Sequence, residues 1–346
     1  MKRIKIGVVG LNFGADMVEE LASKAGADRF ELAGVCDLNA AKAASFAERY
    51  GVRAYADLDE LLGDDEIRAV GLFTPPVGRA ALIDKIVDAG KDVMTTKPFE
   101  RDAEQGLAVL KKAERLGRVV HLNSPTPLLS DELQVLKRWH EQHELGQPVG
   151  CRAEVWCDYR ETYTASWYDD PALCPVAPIY RIGIYLINDL VRLFGEAEQV
   201  QVMHSKLFTG RPTPDNAQLG ILFKNGALGN IFASFCIEDG QAYKFALTVN
   251  YEKGTIHRNL HPKPFDEAVG HVGSAMTLIT QDADGHMYVE EAVLRSAVGQ
   301  YQWEAFYRAI RGERLALAVT PEEIAAGINI IKAMSRAEKS GMTERV

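Results

Sequence analysis

The chain is predicted to fold as two domains: an α/β domain on a doubly wound parallel sheet, then an α+β domain on a mostly antiparallel sheet. Three observations carry this. Residues 1–124 alternate short β-branched runs with amphipathic helical stretches, the pattern of strand–helix–strand crossovers. Asn123–Pro127 (NSPTP) then breaks the alternation, and residues 125–346 change to longer strand-like runs after one further helix. At 346 residues the chain has room for about two domains of about 150 residues each.

In the first domain, strands are expected over Ile4–Val9, Glu31–Cys36, Ile67–Phe73, Asp92–Thr96 and Arg118–Leu122. Helices are expected over Ala15–Lys24, Ala40–Tyr50, Arg79–Ala89 and Ala103–Leu116. The short connections favour right-handed parallel crossovers, and ligands of such sheets gather beyond the carboxyl ends of the strands. That places Gly10–Gly14, Asp37, Thr74–Pro76, Lys97–Pro98 and Asn123 along one crevice. In the second domain a helix over Asp131–Leu145 precedes strand-like runs at Val149–Tyr159, Gln199–Phe208, Ala217–Phe223, Ala227–Cys236 and Tyr243–Tyr251. Lys224-Asn225-Gly226 carries the Asn-Gly pair of tight hairpins. Near the end, Pro321–Ser340 reads as a helix with Thr320 as N-cap and Glu323 completing a capping box.

Composition excludes several function classes. The formal net charge is −9 with a pI near 5.5, and no clustered basic face is apparent, so no nucleic-acid partner is expected. Apolar runs such as Ile182–Ile187 fall far short of the ~18 residues that span a bilayer, so no membrane partner is expected. Lys2 and Arg3 precede an apolar run that leads straight into a glycine turn, which reads as a first strand, not a signal peptide. The five cysteines are odd in number and lack a CxxC spacing; they are expected to be free thiols, Cys151 and Cys157 buried, in a reducing cytoplasm. His140 and His143 are expected on the surface. His257, His261, His271 and His286 show no metal-ligand spacing, so no metal is expected.

A dinucleotide turn needs small residues, so that backbone N–H groups and a helix N-terminus can approach a diphosphate. Strand Ile4–Val9 leads into Gly10-Leu11-Asn12-Phe13-Gly14-Ala15. Aligned to G-x-G-x-x-G/A, Gly10 is the first position, Ala15 the third, and Asn12 replaces the middle glycine. Asp37 lies 22 residues beyond Ala15, close to the spacing of about 20 for the acid that accepts from the adenosine ribose. A carboxylate there favours NAD over NADP; the alternative is a helix cap for Ala40–Tyr50. The expected cofactor-binding set is Gly10, Asn12, Phe13, Gly14, Ala15, Asp37, Thr74, Pro75, Lys97 and Asn123.

Lys97 ends a strand inside the same crevice, and Pro98 restrains its backbone. A lysine there with a lowered pKa can receive the hydroxyl proton when hydride leaves an alcohol carbon; a solvated surface lysine is the plainer alternative. Pro178–Phe194 reads as an apolar helix ending at Gly195. Its polar residues Arg181, Tyr185, Asn188 and Arg192 are spaced to share one face. A substrate cleft or a salt bridge would satisfy them. Gly183, beside them, leaves room for a nicotinamide ring, and Trp167, in a turn before this helix, is an aromatic candidate for lining a sugar site.

Together, Gly10–Ala15, the Asp37 strand end, Thr74-Pro75-Pro76, Gly90-Lys91-Asp92-Val93 before Lys97-Pro98, and the Gly183–Gly195 helix resemble the Gfo/Idh/MocA family of glucose–fructose oxidoreductase and inositol dehydrogenase relatives. The resemblance extends over the whole chain, including Phe306–Gly312 and Thr320–Gly341. It implies an NAD(P)-binding Rossmann domain over 1–124 and an open-faced sheet domain over 125–346 that often mediates dimers or tetramers. It also implies sugar, polyol or related substrates. The family's E-K-P lysine falls on Lys97, with Thr96 in place of the Glu. Its Asp-x-x-x-His (or Tyr) pair falls on Arg181 and Tyr185, and the following Asp on Asn188. The candidate catalytic groups are therefore Lys97 and Tyr185, and the candidate substrate contacts Lys97, Trp167, Arg181, Tyr185 and Asn188. Arg181, reversing the usual charge, is expected to bind a substrate carboxylate. The expected activity is hydride transfer to NAD, with NADP as the alternative cofactor, from a sugar, polyol or sugar acid, in a homodimer or homotetramer. The competing readings are a nucleotide or sugar sensor without turnover, and an enzyme that cycles a tightly held cofactor internally.

Overall fold

Strands and helices alternate from Ile4 to Leu122 in the computed structural model, which describes residues 2–23, 25–241, 243–260, 274–294, 299–316 and 318–346. In order they are β1 (Ile4–Val9), α1 (Gly14–Ser23), β2 (Phe30–Cys36), α2 (Ala40–Tyr50), β3 (Arg53–Tyr55), α3 (Leu58–Leu62), β4 (Ala69–Leu72), α4 (Arg79–Asp88), β5 (Asp92–Thr95), α5 (Ala103–Arg115) and β6 (Val120–Leu122). The sheet order is β3-β2-β1-β4-β5-β6 and every pairing is parallel. Every residue of β4 and β5 is buried, as expected for central strands covered on both faces. The short pair β3 and α3 is absent from the sequence expectation: three strand residues give too little periodicity to read.

Register explains why the loops converge. Val9 pairs with Cys36 and Leu72, Leu72 with Thr95, and Thr95 with Leu122. This row crosses the sheet, so the residue after each member begins a loop on the same edge. Strand order reverses between β1 and β4, where a doubly wound sheet opens its crevice.

The second sheet is built from β7 (Pro148–Trp156), β8 (Ala197–Ser205), β9 (Asn216–Phe223), β10 (Leu228–Ser234), β11 (Lys244–Tyr251), β12 (Gly254–Arg258), β13 (Ser274–Gln281), β14 (Met287–Leu294) and a terminal β15 (Glu344–Arg345). Its order is β14-β13-β12-β11-β7-β10-β9-β8-β15, antiparallel except where β10 pairs with β7. Helices α6 (Asp131–Gln142), α7 (Ile184–Phe194) and α9 (Pro321–Ser340) accompany it, and α8 is Trp303–Ile310. Along β9 the residues alternate, with Ala217, Leu219, Ile221 and Phe223 buried in the core and their neighbours half-buried. One face is thus packed and the other left uncovered. Of the other expectations, the Thr320–Glu323 capping box forms, each side chain accepting the other's backbone N–H.

Two compact units result: residues 1–128 with 300–325, and residues 129–299 with 326–346. The sequence reading kept 300–325 with the second domain. Aromatic packing explains the difference. Phe30 of β2 stacks on Phe306 at 5.5 Å and meets Trp303 edge-on at 5.4 Å, so α8 completes the first core. A segment this distant in sequence gives no local sign of which core it joins. No helix among the described residues is long and apolar enough to cross a membrane.

Candidate active site

Gly10 opens the first loop with φ +88, a conformation that L side chains rarely adopt. A Cβ there would lie 2.9 Å from the carbonyl oxygen of Phe73 and 3.1 Å from the nitrogen of Thr74. The β1 turn therefore passes directly against the β4 turn. Asp37 is not the cap of α2; Asn39 is, accepting from the Lys42 N–H at 3.1 Å. Asp37 instead accepts from the Leu11 N–H at 2.7 Å and the Asn39 N–H at 2.8 Å, one on each oxygen. Each oxygen keeps a second lone pair, which is what a ribose diol requires. Asn12, exposed, accepts from Lys42 Nζ at 2.5 Å, and Phe13 is exposed with its ring 6.0 Å from Phe73. Gly14 and Ala15 begin α1, whose N-terminal N–H groups face this edge. Thr74 Oγ1 is buried without a hydrogen-bond partner, beside the exposed Pro75. A glycine cradle, a held carboxylate, a helix N-terminus and an orphaned hydroxyl on one edge fit a dinucleotide.

Lys97 follows β5 and is half-buried, with a cis bond to Pro98. Its backbone N–H donates to Asn123 Oδ1 at 3.0 Å; Asn123 follows β6 and is buried. Thr96 Oγ1 lies 3.3 Å from the same oxygen. The sequence reading placed Asn123 among cofactor contacts, and the structure also shows it bracing the lysine turn. That reading missed Arg79, which is buried and donates to the carbonyls of Thr74, Thr96, Pro98 and Phe99. Its position on the first turn of α4, facing two strand ends, is a signal only the fold makes legible.

In the second unit the segment before α7 is a π-helical turn, Ile179–Gly183. Its wider winding takes Arg181 off the expected polar line, while Tyr185, Asn188 and Arg192 all lie within α7 and keep α-helical spacing. Arg181 is buried with its guanidinium 3.9 Å from the Tyr168 ring, 4.8 Å from Phe235 and 5.0 Å from Tyr159. Both of its terminal nitrogens donate to Glu161, one at 2.8 Å. The fork is therefore spent on an internal carboxylate, and the expected role as anchor for a substrate acid is withdrawn. Glu161 also accepts from Arg211, whose Nε donates to Asp169 at 2.6 Å. Burial raises the Glu161 carboxyl, but hydrogen bonds and charge from Arg181 and then Arg211 outweigh it and hold the group below its ordinary range. Glu161 escaped the sequence reading because it sits in an irregular stretch with no periodicity.

Tyr185, half-buried, meets Phe245 edge-on at 5.7 Å, and a Cβ on Gly299 would fall 3.1 Å from its hydroxyl. Asn188 is buried against α9, where its Oδ1 occupies the space a Cβ on Gly327 would need, at 2.5 Å. That contact packs α7 against α9. The space beside Gly183 is lined by Ile179, 3.1 Å from where a Cβ would sit. Trp167 lies in a single 3-10 turn, its ring 4.1 Å from that of Tyr168 and tilted by 41°.

All five cysteines are free and buried, and burial pushes the Cys151 and Cys157 thiols up to about 12. His140 and His143 are half-buried, not on the surface as expected: their Nε2 atoms lie 2.8 Å from the Gly146 carbonyl and 3.1 Å from Glu290. His261 and His271 lie outside the described residues. Asp282, Asp284 and His286 gather ligand atoms within 4.8 Å, all exposed. Asp282 there accepts the backbone N–H groups of Asp284 and His286, which is turn chemistry.

Comparison with known proteins finds relatives for both parts of the chain. Residues 4–124 match the model of an oxidoreductase family with an NAD-binding Rossmann fold, and residues 133–257 match the GFO/IDH/MocA C-terminal domain. The chain is 23% identical to inositol 2-dehydrogenase of Rhodococcus erythropolis over 256 residues, covering 73% of this chain and 70% of that protein. It is 25% identical to UDP-N-acetylglucosamine 3-dehydrogenase of Acidithiobacillus ferrooxidans, covering 69% of each. Its fold superposes on the WlbA dehydrogenase from Bordetella pertussis, solved with NADH and UDP-GlcNAcA, at a TM-score of 0.71 and 18% identity over 100% of this chain and 99% of that one. With both domain models matched in order, the first over the elements that form the glycine cradle and the lysine turn, the chain belongs to the Gfo/Idh/MocA family of oxidoreductases.

Proposed function

We propose that the chain is an NAD-dependent dehydrogenase that oxidises a secondary alcohol of a neutral sugar or polyol, or reduces the matching ketone. The single observation carrying this is the braced Lys97, with its N–H on Asn123, on the strand edge that carries the glycine cradle and Asp37. NAD supplies the hydride acceptor. The backbone N–H groups of Gly10–Ala15 would hold the diphosphate and Asp37 would accept from the ribose hydroxyls, while Lys97, as the neutral amine, receives the alcohol proton as the C–H bond breaks. Tyr185 is the second hydroxyl-bearing group we assign to substrate.

A neutral substrate is supported by Arg181, whose fork is taken by Glu161. It is also supported by the inositol 2-dehydrogenases among the relatives. Self-association into a homodimer or homotetramer is supported by the uncovered sheet face, where Met203, Leu228, Val289 and Val293 are exposed.

The test is mass spectrometry of the purified protein for bound nucleotide, followed by a panel of polyols, sugars and sugar acids with NAD and NADP. Lys97→Ala is expected to abolish turnover with cofactor affinity unchanged. Full activity in that variant refutes the assignment, and nucleotide binding without turnover of any panel member returns the sensor reading.

A further inference from the structure

We propose that Arg79 is a positioning residue that sets the direction in which Lys97 projects. A guanidinium has five donors and no acceptor and stays charged at any ordinary pH. Burying one is costly unless its donors are matched. Arg79 has only 1% of its surface exposed, and its terminal nitrogens reach the carbonyls of Thr74, Thr96, Pro98 and Phe99. Thr96 and Pro98 are the neighbours of Lys97 on either side. One planar fork thus grips the peptide before the lysine and the carbonyl after it, while Asn123 takes the lysine's own N–H from the β6 side at 3.0 Å.

With its backbone groups held from two directions, the turn leaves Lys97 only its side-chain torsions to explore. The grip on Thr74 also ties this turn to the end of β4, so the two loops cannot drift apart. A second buried contact supports the arginine's own placement. Glu100, buried after the lysine turn, accepts the Ala80 N–H at 2.8 Å and so locks the first turn of α4 to the same loop. An ammonium cannot reproduce this, since it offers three donors from a point and not a fork.

The inference rests on Lys97 as the proton-transfer group, but the orientation itself is measured without turnover. The full chain, as wild type, Arg79→Met and Arg79→Lys, is pulsed with an amine-acetylating reagent. Modification of Lys97 is read by peptide mass spectrometry against Lys224, an exposed lysine of the second unit. A released Lys97 reacts as an ordinary solvated amine, so its ratio to Lys224 is expected to rise about fivefold in Arg79→Met and about twofold in Arg79→Lys. A ratio unchanged in Arg79→Met with native circular dichroism overturns the proposal; should that variant not fold, an unchanged ratio in Arg79→Lys does so. On the best alcohol of the panel, kcat is expected to fall about 30-fold in Arg79→Met with KM little changed, the split of an orientation effect. An unchanged kcat with a raised KM contradicts it. If Lys97→Ala retains turnover, the catalytic reading fails while the labelling ratios still judge the clamp.

Discussion

The backbone N–H of Leu11 donates to the carboxylate of Asp37 across 2.7 Å, so the glycine turn and the end of β2 move as one piece. Asp37 therefore shapes the loop, and in the proposed function it also meets the ribose. The two roles separate by substitution. Asp37→Asn keeps an acceptor for Leu11 but loses the charge and half the acceptor capacity. It is expected to weaken NAD about tenfold or more, while NADP weakens less because no carboxylate repels its phosphate. Asp37→Ala loses the tether as well, and both cofactors weaken. Calorimetric titration with each nucleotide checks this. Equal NAD affinity in wild type and Asp37→Asn would remove Asp37 from the site.

Gly10 tests the cradle by a different route. At φ +88 an alanine is strained, and its methyl would sit 2.9 Å from a backbone oxygen that has no flexible end to move aside. Gly10→Ala is expected to cost about 1–3 kcal/mol of stability and to lower NAD affinity, because the turn must shift off Phe73. Denaturant unfolding with and without NAD reads both effects. Gly14→Ala, whose added methyl meets side chains at 3.3 Å and more, should be milder.

The first unit was more legible in the sequence than the second, and the reason is local. Strand–helix periodicity, the Gly10–Ala15 turn and the Asp37 spacing are properties of neighbouring residues, so each could be read from its own window. Arg79 and Glu161 could not. Each matters through partners far along the chain: Thr96 and Pro98 for one, Arg181 and Arg211 for the other. The polar stripe of Arg181, Tyr185, Asn188 and Arg192 holds only over its α7 part, for a related reason. It presumed α-helical winding throughout, and the π-helical turn over Ile179–Gly183 gives Arg181 surroundings of its own. The aromatic residues of α8, a segment assigned to no element from the sequence, carry no local sign of the core that buries them.

His121 on β6 gives a pH signature. Burial pushes its imidazole down from the ordinary 6.5 to about 3, its Nδ1 has no partner, and its ring packs 5.5 Å from Phe306. The folded chain holds this residue neutral. Between pH 6.5 and about 3 the unfolded chain takes up a proton there that the folded chain refuses, so stability falls as pH falls through that window. At full effect the loss is about 1.4 kcal/mol per pH unit. His121→Leu should flatten the wild-type slope across the window and change little above pH 7. Denaturant midpoints measured at matched ionic strength decide it, and parallel slopes in the two proteins would show that the imidazole titrates normally.

Glu161 is the centre of the ion network, and its removal should be felt as stability rather than as substrate affinity. Glu161→Gln leaves the buried guanidinium groups of Arg181 and Arg211 short of a counter-charge. The expected cost is roughly 3 kcal/mol, at the low end for a broken buried pair, because Glu161 keeps about a third of its side chain in solvent. Arg181→Met should be gentler. Its space is walled by Tyr159, Tyr168 and Phe235, which suit a thioether, and Glu161 retains Arg211. If Arg181 serves the fold alone, Arg181→Met also leaves the KM for a neutral polyol within about twofold, since no uniform binding energy is lost. A KM raised tenfold or more for acidic substrates only would instead return Arg181 to the substrate, with Glu161 displaced from the fork on binding.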